Sequence, residues 1–160
     1  MSRAEIAREN FMRGKTCAGA VLLAFSDLTG LDEKTAEDIS LPFGGGFARL
    51  RLTCGAVSGM AMTFGVIVGR SQKPLSKNEM YAAVQELSAR FQKKNGSILC
   101  GKLLSGHGIR CDTSPSSEER TEEYYKKRPC PALCFDGAEI LENYLIEKGY
   151  IKSGSDSLSE

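Results

Sequence analysis

TCGAVSGMAMTFGVIV, residues 53–68, decides the fold: as one helix it makes the chain all-α, whereas a buried strand at residues 66–68 would introduce a sheet. The β-branched residues near its end suit a strand. The span from Thr53 to Gly69, however, has the length of a helix. Read so, Thr53 is the N-cap, Cys54 takes the first helical position and Gly69 closes the helix. A cysteine there meets free backbone N–H groups and the positive end of the helix dipole, which favour a thiolate. A small, soft side chain is equally suited to a tight helix contact.

Working outward, Ser2-Arg3-Ala4-Glu5 is a capping box opening a helix over residues 3–13, ended by Gly14. Thr16 caps a second helix from Cys17 to about Leu28, with Val21, Leu22, Phe25 and Leu28 on one apolar face. Asp32 caps a short helix through Ile39, which Pro42 ends. Downstream, Ser76-Lys77-Asn78-Glu79 is a second capping box. Its helix carries Met80, Val84, Leu87 and Phe91 on one face and stops at Gly96. Ser97 caps a short helix bearing Cys100, Leu103 and Leu104, and the following SGHGIRCDTSPSS is turn-rich. Residues 118–127 add another helix, and Cys130-Pro131 opens a last amphipathic one to about Lys148. No segment alternates with period two. The chain therefore reads as all-α, a compact multi-helix bundle forming one domain over residues 1–150, with a disordered tail at residues 151–160.

The 21 basic side chains against 20 acidic ones leave a formal charge of +1, which supplies no field for nucleic acid or an anionic membrane. MSRAEIARENFMRGK lacks the apolar core of a secretory signal, and the longest apolar run, Ala18 to Phe25, is too short to span a bilayer. We expect a cytoplasmic protein without membrane insertion. Six cysteines in a reducing compartment point to metal binding or redox chemistry rather than structural disulfides. No zinc-finger or C-x-x-C spacing is present, so any site is assembled in space.

The cysteines share one placement. Cys17, Cys54 and Cys130 each open an expected helix, and Cys100 lies in the first turn of another. Core packing would scatter cysteines along helix interiors. The residues Cys54-Gly55-Ala56-Val57-Ser58-Gly59, with Cys17 upstream in TCAGAVLLAF and Cys100 and Cys130 downstream in NGSILCGKLL and RPCPALCFDGAEIL, resemble the C_GCAxxG_C_C family of redox-active proteins. The resemblance covers nearly the whole chain, including GLDEKTAEDISLPFGGGF. It implies a small protein whose four characteristic cysteines hold a redox centre, similar to a region of certain cytochromes that also carry iron–sulfur centres. Carried over by position, the four are Cys17, Cys54, Cys100 and Cys130; Cys111 and Cys134 are additional.

The chemistry of four thiolates at helix N-termini fits an iron–sulfur cluster, with a two-iron, two-sulfur centre favoured, because the free N–H groups offset its negative charge. Gly55 and Gly59 would let the backbone approach such a centre and let the helix pack against Gly19 and Ala20. Zinc is the rival occupant, giving a structural or interaction domain. A metal-free thiol oxidoreductase, pairing for example Cys130 with Cys134, ranks below both. Cys111 is not expected to be a ligand, and Cys134 is left open. An electron-transfer role requires a redox partner protein that the sequence does not identify, and an apolar helix face allows a homodimer.

Phe43-Gly44-Gly45-Gly46-Phe47, with Arg49 and Arg51 nearby, reads first as a mobile connection and second as a cradle for an anion or a cover over a cofactor. Gly14-Lys15-Thr16 is not a phosphate-binding loop, because Glu9 stands where glycine is required. The single histidine, His107, reads as a surface residue. Residues 124–128 (YYKKR) read first as a solvated helix end and second as a docking edge for an anionic partner.

Overall fold

The computed structural model describes residues 1–154. Among these are nine α-helices and no named strand: α1 (Arg3–Met12), α2 (Cys17–Leu23), α3 (Ser26–Thr29), α4 (Glu33–Ser40), α5 (Gly55–Gly69), α6 (Lys77–Asn95), α7 (Cys100–Ser105), α8 (Glu122–Lys127) and α9 (Cys130–Glu147), with a 3-10 turn at Leu41–Phe43. The fold is all-α, and none of the described helices is long and apolar enough to cross a membrane.

Helix α5 is the centre of the bundle. It buries Ala56, Val57, Met60, Thr63, Phe64, Ile67 and Val68, the spacing of a helix face rather than of a strand. It packs on α2, α6 and α9, while α9 also contacts α1, α2 and α6. Phe11, Phe25, Phe64 and Phe91 are wholly enclosed, each stabilising the fold by about 1.5–3 kcal/mol through burial. Thr63 is equally enclosed, and its hydroxyl donates to Gly59 O at 2.7 Å, so its burial leaves no orphan polar group.

Both capping boxes form, Ser2 with Glu5 and Ser76 with Glu79. Ser76→Ala is expected to cost about 1 kcal/mol, read as a lowered urea midpoint with unchanged slope. Gly96, at φ +90°, closes α6 in the left-handed conformation that glycine alone adopts without penalty.

Four boundaries differ from the sequence reading. The second helix does not continue to Leu28: Ala24 and Phe25 donate to carbonyls three residues back, the chain kinks at Phe25, and α3 restarts at Ser26. The kink seats Phe25 in the core, with the Arg3 guanidinium over its ring at 5.1 Å. Thr53 does not cap α5. It forms an isolated antiparallel bridge with Leu99, and Cys54 itself is the N-cap. Ser97 accepts from Leu99 N–H, but Leu99, not Ser97, stands at the cap of α7. Thr121 caps α8, so that helix begins four residues later than expected. Of the expected tail, Ile151 packs against the core, and residues 155–160 lie outside the described residues.

Candidate functional site

Cys17, Cys100 and Cys130 are each the first residue of a helix, and Cys54 is the residue that caps one. Two reciprocal backbone bonds place Cys54 beside Cys100: Cys54 N–H donates to Ile98 O and Cys100 N–H to Leu52 O, both at 2.7 Å. Thr16 fixes the start of α2 by accepting from Gly19 N–H at 3.1 Å. Gly55 brings α5 onto Cys17, since a Cβ at position 55 would lie 2.8 Å from Cys17 Cβ and 3.0 Å from Ala18 N. The result is one cavity of about 400 Å³ lined by Cys17, Cys54, Cys100 and Cys130, together with Gly55.

Gly59 does not line this cavity. A Cβ there would meet Ala18 O at 2.8 Å and Val21 Cβ at 2.9 Å, so its smallness serves the α2–α5 contact and not the approach to a bound group. The expected partners shift accordingly: Ala18 and Val21 face Gly59, whereas Gly19 turns toward Ser40 of α4.

As free thiols the sulfurs are harder to ionise than their helix-end positions imply. Burial pushes Cys54 up to about 12, although the N–H groups of Ala56 and Val57 pull the other way. For Cys17, the Cys130 thiol beside it favours ionisation, but Cys134 and burial oppose it and hold Cys17 well above the usual thiol range. Cys130 is also held well above it, first by Cys17 and then by burial. Cys100 is raised by burial against the opposing pull of Arg51, whose Nη1 donates to its sulfur at 3.8 Å. Desolvation thus outweighs the helix N-terminus. The expected bias toward thiolates is reversed until something replaces the protons.

The sequence placed Arg49 and Arg51 beside the glycine-rich loop but did not reveal that Arg120 and Arg128 converge with them on the same cavity. Arg49, Arg51, Arg120 and Arg128 line it, with Glu118 as the single lining carboxylate. The Arg128 side chain is only 6% exposed and pairs with Glu118; Tyr124, its ring 4.6 Å from the Arg128 guanidinium, also lines the cavity. Residues 124–128 are therefore not simply a solvated helix end. Arg120 donates to Phe11 O and Lys15 O and stacks 4.3 Å from the Phe11 ring. A charged face would have been legible as periodicity along one helix, but these four come from three separate segments.

The glycine-rich connection is a strap over the site. Gly45, Gly46, Phe47, Ala48 and Arg49 run consecutively at φ between +49° and +72°, and Arg51 follows at +60°. Each non-glycine residue there costs about 1–2 kcal/mol. The strap is held by Ala48 N–H to Pro42 O and Leu52 N–H to Gly46 O, both at 2.8 Å, and by Arg49 and Arg51 reaching Ser114 O and Asp112 O. Gly44, Gly45 and Gly46 line the cavity, so the covering role fits this segment and the mobile connection does not.

Cys134 is fully buried behind the site, its thiol directed to Cys17 O at 3.9 Å. Cys111 faces Ile109 O and Gly101 O. His107 Nδ1 lies 3.1 Å from Leu103 O in the turn after α7. None of these three lines the cavity. Among the described residues, no three His, Cys, Asp or Glu side chains are placed to hold a single metal ion.

The family described as "Putative redox-active protein (C_GCAxxG_C_C)" matches residues 15–144, a span that contains all six cysteines. No curated protein and no solved structure matches the chain.

Proposed function

The chain belongs to the C_GCAxxG_C_C family of redox-active proteins, and on that premise we propose that it transfers electrons through an iron–sulfur cluster held by Cys17, Cys54, Cys100 and Cys130. The observation that carries this reading is that four sulfurs from the starts of four helices line a single cavity. Four thiol donors are the usual ligand set of such a cluster, which supplies reversible one-electron chemistry when bound. A polyatomic cluster needs room between its ligands, and a cavity of about 400 Å³ provides it; one zinc ion would need the sulfurs about 2.3 Å from one point.

The protein's own part is to shape and charge that space. Loss of protons from four thiols, Cys54 and Cys130 buried and Cys17 and Cys100 partly so, is costly, so cluster assembly releases protons and its occupancy falls as pH is lowered. Arg51, at 3.8 Å from Cys100 Sγ, offsets the charge of a ligating sulfur directly. Glycine at position 55 keeps Cys17 and Cys54 on facing helix ends.

Replacing Cys17, Cys54, Cys100 or Cys130 by serine is expected to reduce bound iron and labile sulfide to less than about half of wild type, whereas Cys111→Ser leaves both unchanged. Iron and sulfide analysis of the five variants checks this. Full occupancy in Cys54→Ser would overturn the assignment.

A further inference from the structure

The cavity holds more than a ring of sulfurs. Its volume of about 400 Å³ falls in the range of small-molecule sites. Much of its lining is apolar, from Phe11, Leu41, Pro42, Leu103, Leu104 and Leu133. Into this surface four guanidinium groups are brought against one carboxylate. Gathering like charges where solvent is restricted is unfavourable unless an anion compensates them.

Asp112, outside the lining, pairs with Arg49, and the sulfurs offset a further part of that excess. Arg51 alone among the four donates to a sulfur. Arg49, 13% exposed, is directed to Asp112 and Ser114 O, Arg120 to backbone carbonyls, and Arg128 to Glu118. Each guanidinium has five N–H donors, so these contacts leave donors over on every one. All four arginines also lie outside the helices that present the sulfurs, Arg128 on the extended residue that ends α8. Loops set on a rigid scaffold are where ligand-gripping groups concentrate, and the strap carrying Arg49 and Arg51 is held in a costly left-handed run.

We infer that this cavity binds a small organic anion, an apolar body bearing an oxyanion head, with the head held by the arginines and the body against Phe11, Leu103 and Leu133. Carboxylate and phosphate heads share the planar or three-pronged oxygen geometry that arginine forks match. The anion shares the one cavity with the group proposed for the sulfurs, taking the part beside the arginines, and so lies next to Cys100 through Arg51.

The test is calorimetric titration of the full-length protein, purified without oxygen, with benzoate, phenyl phosphate and benzyl alcohol as probes. Iron, zinc and sulfide are measured on the same sample. Benzoate or phenyl phosphate is expected to bind saturably and at least about tenfold more tightly than benzyl alcohol, the uncharged control. The preferred anion tells which head the site takes. Raising sodium chloride weakens the anion and not the alcohol. Arg49→Gln and Arg128→Gln each weaken it by about tenfold or more; should either variant fail to fold, the benzyl alcohol and salt comparisons on wild type decide alone. Absence of saturable anion binding, or equal affinity for benzyl alcohol, overturns the inference. Iron and sulfide present without anion binding leaves the proposed redox centre standing and removes this site; anion binding in a protein without iron does the reverse.

Discussion

At about pH 8, Cys54 in chelator-treated protein will react with iodoacetamide about a thousandfold more slowly than an ordinary thiol. The thiolate is the reacting species, and burial moves Cys54 from the ordinary 9.0 up to about 12. Three units is about a thousandfold in thiolate population, before any loss of access is counted. The rate should climb about tenfold per pH unit over this range, and mass spectrometry of the alkylated peptides follows it. The same shift makes the free-thiol form labile to alkali. In the unfolded chain the thiol ionises as pH rises through about 9, while in the folded chain it keeps its proton to about 12. The folded state then binds more protons, and stability falls across that window by about 1.4 kcal/mol per unit for this thiol. A Cys54 that alkylates at the rate of a free peptide thiol would contradict its burial and would favour thiol-exchange chemistry, which works through lowered thiol pKa values.

Gly46→Ala is expected to destabilise the protein by about 2–4 kcal/mol. The residue sits at φ +72°, where an L side chain costs about 1 kcal/mol or more. Its Cβ would also fall 2.5 Å from Cys100 Cβ, 2.9 Å from Leu52 N and 3.0 Å from Arg51 C. All three are fixed by the backbone, so overpacking adds about 1–3 kcal/mol. Two other glycines separate these causes. Gly96→Ala keeps the unfavourable φ of +90° with nothing within 4 Å and should cost about 1 kcal/mol. Gly65→Ala lies in α5 with open space and ordinary helical φ, and it should stabilise by up to about 1 kcal/mol. Urea unfolding of the three variants gives the order. Because the clash at position 46 falls on Cys100, that variant alone of the three should also lose bound iron.

What could be read from the sequence was local. Ser2, Asp32 and Ser76 each cap the helix their spacing indicated, because a cap is a contact within four residues. The sulfur pattern was legible for the same reason: each cysteine's position depends on its own helix start. The errors come from long-range contacts. Thr53 looks like an N-cap until Leu99, far along the chain, takes its backbone into a bridge. Phe25 extends an apolar face on paper, but the core it enters demands a kink. Arg128 reads as a solvated charge and becomes a cavity wall through Glu118, joined there by Arg120, which Phe11 and Lys15 hold in place. The helix-end argument for thiolates failed on magnitude, since a dipole effect of about a kcal/mol does not match full desolvation of a buried sulfur.

The central claim is that four sulfurs at the ends of four helices hold an iron–sulfur cluster, and an optical spectrum with iron, zinc and sulfide analysis on protein purified without oxygen tests it most directly. The account predicts visible charge-transfer bands and iron and labile sulfide in matched amounts, about two of each per chain. A colourless protein carrying stoichiometric zinc, or no metal at all, would contradict it.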